Sequence, residues 1–178
     1  MIINLPTAIT ISRFLMVPVF IAVAEEHPVW GAIVFSAASL TDLLDGYLAR
    51  RSKQVTKLGI ILDPLADKFL VIGALLVFLD MALVKMWMVA VIVIREFLVT
   101  VLRLVALEKN LVIPAETGGK VKMGFQIAAI LTLLVDYSGI LEFIPFLYGA
   151  GVVCLWTSMI LGVVSGVQYF VRFAKSAL

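Results

Sequence analysis

Long apolar runs, broken at intervals by charges and by proline or glycine, dominate this chain. A bilayer-spanning helix needs about 20 largely apolar residues. Dividing the chain at its charge and Pro/Gly clusters leaves six such segments: Pro6 to Ala24, Val29 to Arg50, Ile61 to Leu79, Leu83 to Leu107, Val121 to Val135 with a few flanking residues, and Phe143 to Phe173. The pattern predicts an all-α, polytopic membrane protein with six transmembrane helices. Asn4, Thr7, Thr10, Ser12 and Arg13 interrupt the first segment where the n- and h-regions of a signal peptide would stand. That segment is therefore expected to be a helix with an amphipathic start.

Charge sorting orients the helices. Arg50, Arg51, Lys53 and Lys57 follow the second segment, Lys109, Lys120 and Lys122 follow the fourth, and Arg172 and Lys175 close the chain. The alternate connections carry Glu25 and Glu26, Asp80 and Lys85, and Asp136 and Glu142. Short cytoplasmic loops collect Lys and Arg, so both termini are expected in the cytoplasm, which an even number of crossings requires. Trp30 and Trp87 then fall at outer helix ends, with Tyr47 and Tyr169 toward inner ends, where interfacial aromatics belong. Composition agrees: 63% of residues are hydrophobic, 15% are charged, and mean hydropathy is +1.14. A net charge of only +2 argues against a nucleic-acid partner. No repeat or glycine-rich linker divides the chain, which reads as one integral membrane domain over 1–178. The lone cysteine, Cys154, is expected to be a packed, inert thiol, and Gly73, Gly124, Gly149, Gly151, Gly162 and Gly166 are expected to serve close helix packing.

Four carboxylates depart from the apolar pattern. Asp42 and Asp45 are three apart near the end of the second helix, and Asp63 and Asp67 are four apart at the start of the third. Either spacing puts the pair on one helix face. Two antiparallel neighbours would present all four at one depth, where ionised carboxylates repel and need cations. Oxygen-rich sites of this kind suit Mg²⁺ or Mn²⁺, and four carboxylates can hold two ions about 3.5–4 Å apart, as in phosphoryl transfer. An ion or proton pathway, or helix caps with surface ion pairs, would use the same residues. The capping alternative has substance at Asp63, since Pro64 follows it. If the helix instead continues back through Gly59 and Ile60, Pro64 lies inside it and frees a backbone carbonyl. Gly46 and Ala49 share the face of Asp42 and Asp45, and Gly59 precedes Asp63 by four, leaving room for a flat or bulky group or for a close-packed helix.

The run Asp42-x2-Asp45-Gly46-x2-Ala49-Arg50-x8-Gly59-x3-Asp63-x3-Asp67 resembles the complete signature of the CDP-alcohol phosphatidyltransferase family, membrane enzymes with a six-helix fold. The resemblance implies transfer of a phosphatidyl group from CDP-diacylglycerol to an alcohol with release of CMP. It implies that Asp42, Asp45, Asp63 and Asp67 bind two divalent cations, Mg²⁺ or Mn²⁺. It also makes Asp67, with Asp63, catalytic, Asp67 as general base. Gly46, Ala49 and Gly59 would then make room for the cytidine nucleotide, with Asp45 and Arg50 beside it, and a homodimer is implied.

Further features resemble the branch of that family whose acceptor is sn-glycerol 3-phosphate: Asn4-Leu5-Pro6-Thr7 with Thr10, Arg13 and Pro18; Leu62 to Lys68; Arg95-Glu96-Phe97-Leu98-Val99-Thr100-x2-Arg103; and Gly119-Lys120-x-Lys122-x3-Gln126. They span about two thirds of the chain. Asn4, Pro6 and Thr7 are then expected at the CDP moiety, and Arg13, Arg95, Arg103, Lys120 and Lys122 at the acceptor or lipid phosphate. Met123 stands where that branch commonly has threonine.

The basic residues have a physical requirement of their own. Arg95 and Arg103 are two turns apart on one stripe, and a guanidinium in a membrane helix needs an anion. Glu96 adjoins Arg95 in sequence but projects from a different face, so a phosphate entering from the cytoplasm is the expected partner; positive-inside topology is the alternative for both lysines. Competing functions are a sibling transferase using inositol phosphate, serine or phosphatidylglycerol, an ion transporter or channel, and an assembly or scaffold subunit, which would tolerate loss of the acids. The four acids cluster at one membrane face with no acidic ladder continuing across helices 5 and 6, which disfavours transport.

Overall fold

The computed structural model describes the backbone of residues 5–52, 57–109 and 117–177, and the side chains of residues 12–41, 68–106, 108–109 and 118–176. All regular structure in these residues is helical: α1 (Leu5–Ala24), α2 (Pro28–Ser52), α3 (Lys57–Asp80), α4 (Met86–Glu108), α5 (Thr117–Tyr137) and α6 (Leu147–Ala177). Each expected segment has its helix. The helix ends follow local chemistry. The His27 carbonyl accepts the Gly31 N–H at 3.0 Å, so Pro28 occupies the first helical position, where its missing N–H costs nothing. Gly139, at φ 71°, ends α5 with its N–H on the Asp136 carbonyl at 3.1 Å, a left-handed position that glycine takes without strain.

Contacts group the chain into two units, residues 1–82 with 134–142 and residues 83–133 with 143–178. In the first, α1 packs on both α2 and α3. The Phe20 and Phe35 rings lie 5.8 Å apart and Ala24 abuts Gly31, so α1 and α2 run antiparallel. Phe14 and Phe69 lie 5.5 Å apart, and Val17 and Ile21 meet Gly73, so α1 and α3 run parallel. Phe20, Phe35, Ala74, Leu75 and Phe78 are fully buried between them.

In the second unit α4 packs along α6 in parallel. Trp87 stands edge-on to Trp156 at 5.3 Å, and the Tyr148 hydroxyl donates to the Leu83 carbonyl at 3.0 Å. Leu133 beside Gly151 and Gly118 beside Ser165 show that α5 runs antiparallel to α6. Within each unit, the contacting helices thus have the relative directions that successive membrane crossings require.

Among the described residues, Gly118–Tyr137 and Leu147–Ser176 are long and apolar enough to cross a bilayer, with shorter apolar stretches at Ser12–Ala24 and Pro28–Thr41. The matching stretch of α4 is interrupted by Arg95, Glu96 and Arg103. Apolar side chains face outward on both units: Leu15, Ile33, Leu40 and Leu76 on the first, Ile94, Val101, Val167 and Phe170 on the second. Such a surface suits lipid. The glycine expectation divides. Gly73, Gly151, Gly162 and Gly166 touch neighbouring helices, whereas Gly124 and Gly149 have nothing within 4 Å and serve no close packing among the described residues. Cys154 is a partly exposed free thiol.

A Cβ at Gly31 would lie 2.8 Å from Ala24 Cα, a backbone atom that cannot rotate away. Gly31→Ala should therefore cost about 1–3 kcal/mol in overpacking, while Gly124→Ala should be neutral or gain up to about 1 kcal/mol of helix propensity. Thermal unfolding of the two variants in one detergent checks the contrast.

Candidate functional site

The four aspartates all lie on described helical backbone, with their side chains outside the described residues. α3 begins at Lys57, so Asp63 is not a cap. It sits in the second turn, and Pro64 lies inside the helix, where its missing N–H removes the intrahelical donor for the Ile60 carbonyl. Asp42 precedes the end of α2 by ten residues and Asp67 follows the start of α3 by ten; Asp45 and Asp63 are seven and six from the same ends. At 1.5 Å per residue, the outer pair stands about 15 Å and the inner pair about 10 Å from the helix ends.

Contacts along α1 fix the same level independently. In the antiparallel register set by Phe20 with Phe35 and Ala24 with Gly31, Arg13 falls opposite Asp42. In the parallel register set by Phe14 with Phe69, Arg13 falls level with Lys68, one residue from Asp67. Arg13 is 1% exposed. A buried guanidinium thus stands at the depth of the acids, on the helix that packs against both acidic helices. The sequence resemblance puts Arg13 at the acceptor or lipid phosphate; of the positions expected at the nucleotide, Asn4 lies outside the described residues. Pro6 and Thr7 are in the first turn of α1, Gly46, Ala49 and Arg50 on α2, and Gly59 on α3, all with side chains outside the described set. No three potential metal-ligating side chains converge among the described residues.

The second unit holds a described ionic cluster. Arg95 Nε donates to the Gly162 carbonyl at 2.6 Å, Nη1 to Glu96 Oε1 at 2.9 Å, and Nη2 to Ser165 Oγ at 2.8 Å. Lys122 Nζ, from α5, pairs with the same Glu96 Oε1. All three charged side chains are largely buried. The expectation that Glu96 is no partner for Arg95 is corrected: adjacent residues leave a helix about 100° apart, but the long arginine side chain bends back to the carboxylate. Arg95, Glu96 and Lys122 line a narrow crevice with Val91, Ile92, Ser158, Met159, Gly162 and Val163.

Of the five cations expected at the acceptor or lipid phosphate, the structure brings Arg95 and Lys122 together, while Arg13 belongs to the first unit. Arg103, two turns and about 12 Å along α4, is exposed, and so is Lys120, which leaves α5 about 200° around from Lys122. Ser158 and Ser165 escape the sequence reading, and two buried polar groups stand without a hydrogen-bond partner among the described residues: Ser158 Oγ, in the crevice, and Gln126 Nε2, one turn beyond Lys122. A polar residue every turn or two on an apolar helix, as at Ser158 and Ser165, is the signal that would have pointed to them.

Ser165→Ala removes an acceptor from a charged donor and should cost about 1–3 kcal/mol, whereas Ser158→Ala, which removes an unsatisfied hydroxyl, should be neutral or stabilising in the ligand-free protein. Thermal unfolding of both alanine variants measures the difference.

Residues 3–164 match the family model described as CDP-alcohol phosphatidyltransferase. The chain is 40% identical to a CDP-diacylglycerol–glycerol-3-phosphate 3-phosphatidyltransferase of Bacillus subtilis, covering 94% of this chain and 93% of that protein. It is 36% identical to a probable phosphatidylglycerophosphate synthase of Mycobacterium tuberculosis (95% and 81% covered). With a Haemophilus influenzae protein named as the Bacillus one is, identity is 34% (98% and 95% covered).

Proposed function

The chain belongs to the CDP-alcohol phosphatidyltransferase family, and from that premise we propose that it transfers the phosphatidyl group of CDP-diacylglycerol to sn-glycerol 3-phosphate, giving phosphatidylglycerophosphate and CMP. The names of relatives matched along nearly the whole chain support the acceptor. The structural observation that carries the reading is the shared depth of Asp42, Asp67 and the buried Arg13.

The donor set suits hard divalent cations: four carboxylates within two turns of one level, on two helices joined by a short connection. Asp42, Asp45, Asp63 and Asp67 would hold two such ions, Mg²⁺ or Mn²⁺. Bound there, they supply charge neutralisation at the diphosphate and a better leaving group in CMP. The protein's own residues position and move the proton. Asp67 takes the proton of the acceptor's 1-hydroxyl as that oxygen attacks the phosphorus bearing diacylglycerol. The new P–O bond forms as the bond to CMP breaks, and CMP leaves with that electron pair. Asn4, Pro6, Thr7, Gly46, Ala49, Arg50 and Gly59 accommodate the nucleotide, and Arg13 offsets carboxylate charge at its own depth. Arg95 and Lys122 hold the acceptor phosphate, with the exposed Arg103 and Lys120 on its approach. The proposal includes a single catalytic domain over 1–178, six membrane crossings with both termini cytoplasmic, acyl chains left in lipid, and a homodimer.

With purified protein, CMP should appear one for one with new phospholipid and only when glycerol 3-phosphate is present. CMP released equally fast without acceptor would mark a diphosphate hydrolase instead. Thorough chelation should abolish turnover and added Mg²⁺ or Mn²⁺ should restore it, and Asp45→Asn should be inactive yet folded; full activity in chelator would defeat the metal assignment. Lys122→Gln should raise the KM for glycerol 3-phosphate about tenfold or more, the scale for losing one charged partner of an anion, while changing that for CDP-diacylglycerol little.

A further inference from the structure

Arg95 and Lys122 approach the same oxygen of one carboxylate, Glu96 Oε1, from α4 and α5. We propose that Glu96 is the resident counter-anion of the acceptor-phosphate site: it holds the two cations at one point while the site is empty, and an arriving phosphate takes its place on them. This rests on the reading of Arg95 and Lys122 as phosphate ligands.

Three features support exchange over a permanent ion pair. Arg95 is tied to α6 without Glu96, through the Gly162 carbonyl and Ser165 Oγ, so the guanidinium stays in place when its carboxylate partner is exchanged. The surroundings also hold two buried polar groups that can donate and have no partner among the described residues, Ser158 Oγ and Gln126 Nε2. Ser158 lines the crevice, and Gln126 follows Lys122 by one turn. Glu96 meets both cations through Oε1, whereas a phosphate monoester presents three strongly accepting oxygens that can serve both cations and further donors at once. The charge count also favours exchange. Two cations and one carboxylate leave the empty cluster at a single positive charge, a modest burden for a buried site. A dianion added beside Glu96 meets like-charge repulsion, which keeps the phosphorylated acceptor and product from binding too tightly to leave.

The sign of the effect separates this role from a structural one. Glu96→Gln keeps the size and one accepting oxygen but removes the charge. Without anion, the full-length protein in detergent should unfold at lower temperature than the parent, because two buried cations lose their counter-charge. Inorganic phosphate or glycerol 3-phosphate should restore stability, with an apparent affinity about tenfold tighter than the parent's, since the competing carboxylate is gone. The KM for glycerol 3-phosphate should fall with it. Glu96→Asp, which keeps the charge, should keep the parent's phosphate affinity even where it is less stable.

Unchanged or weaker phosphate affinity in a folded Glu96→Gln protein would overturn the proposal, as would a variant that stays unfolded in saturating phosphate. So would Glu96→Asp matching Glu96→Gln in affinity. Failure of the underlying reading looks different: the parent would then show no phosphate-dependent stabilisation that Lys122→Gln removes.

Discussion

A charge set among apolar helices has to find its counter-charge at its own depth, because water does not follow it there and an unpaired ion costs several kcal/mol. In the second unit the described geometry meets that requirement directly: Glu96 lies between Arg95 and Lys122, and Arg95 spends its remaining contacts on a backbone carbonyl and a serine of α6. In the first unit the register of the helices sets the levels of the charged positions. Arg13, on the central helix of the three, reaches the level of Asp42 and Asp67 because Phe14, Phe20 and Ala24 fix how α1 lies along its neighbours. Apolar packing therefore sets the depths at which charges can meet.

Much of this was legible in the sequence, for a physical reason. Bilayer thickness makes segment length and charge punctuation informative, so six apolar runs became six helices with ends shifted by a few residues. Helical periodicity was as useful within a helix: the spacing of Asp42 with Asp45 and of Asp63 with Asp67 needs no tertiary information. What periodicity could not supply was pairing between helices far apart in sequence. Arg13 lies 29 residues before Asp42, and no sequence spacing links the two. Face arithmetic also misjudged Glu96, because it follows Cβ directions and ignores the reach of a long guanidinium. At the start of α3 the sequence leaves two alternatives, Asp63 as a cap or a helix continuing back through Gly59 and Ile60, and the helix runs back to Lys57.

The two charged regions divide the proposed reaction by chemistry. Carboxylates on α2 and α3 suit a metal-bound diphosphate and a hydroxyl that must lose its proton; cations on α4 and α5 suit an acceptor that carries its own phosphate. An alcohol without a phosphate would leave Arg95 and Lys122 with Glu96 alone and gain nothing from them. The acidic region is consistent with any alcohol in the family's repertoire, so the choice of acceptor rests on the basic one.

That choice can be measured in a single competition. Purified protein is given CDP-diacylglycerol, a divalent cation and an equimolar mixture of glycerol 3-phosphate, glycerol, serine and inositol phosphate, and the lipid products are identified by mass. The account predicts phosphatidylglycerophosphate as the dominant product, with CMP in equal amount. A dominant product carrying serine, inositol phosphate or unphosphorylated glycerol would contradict it.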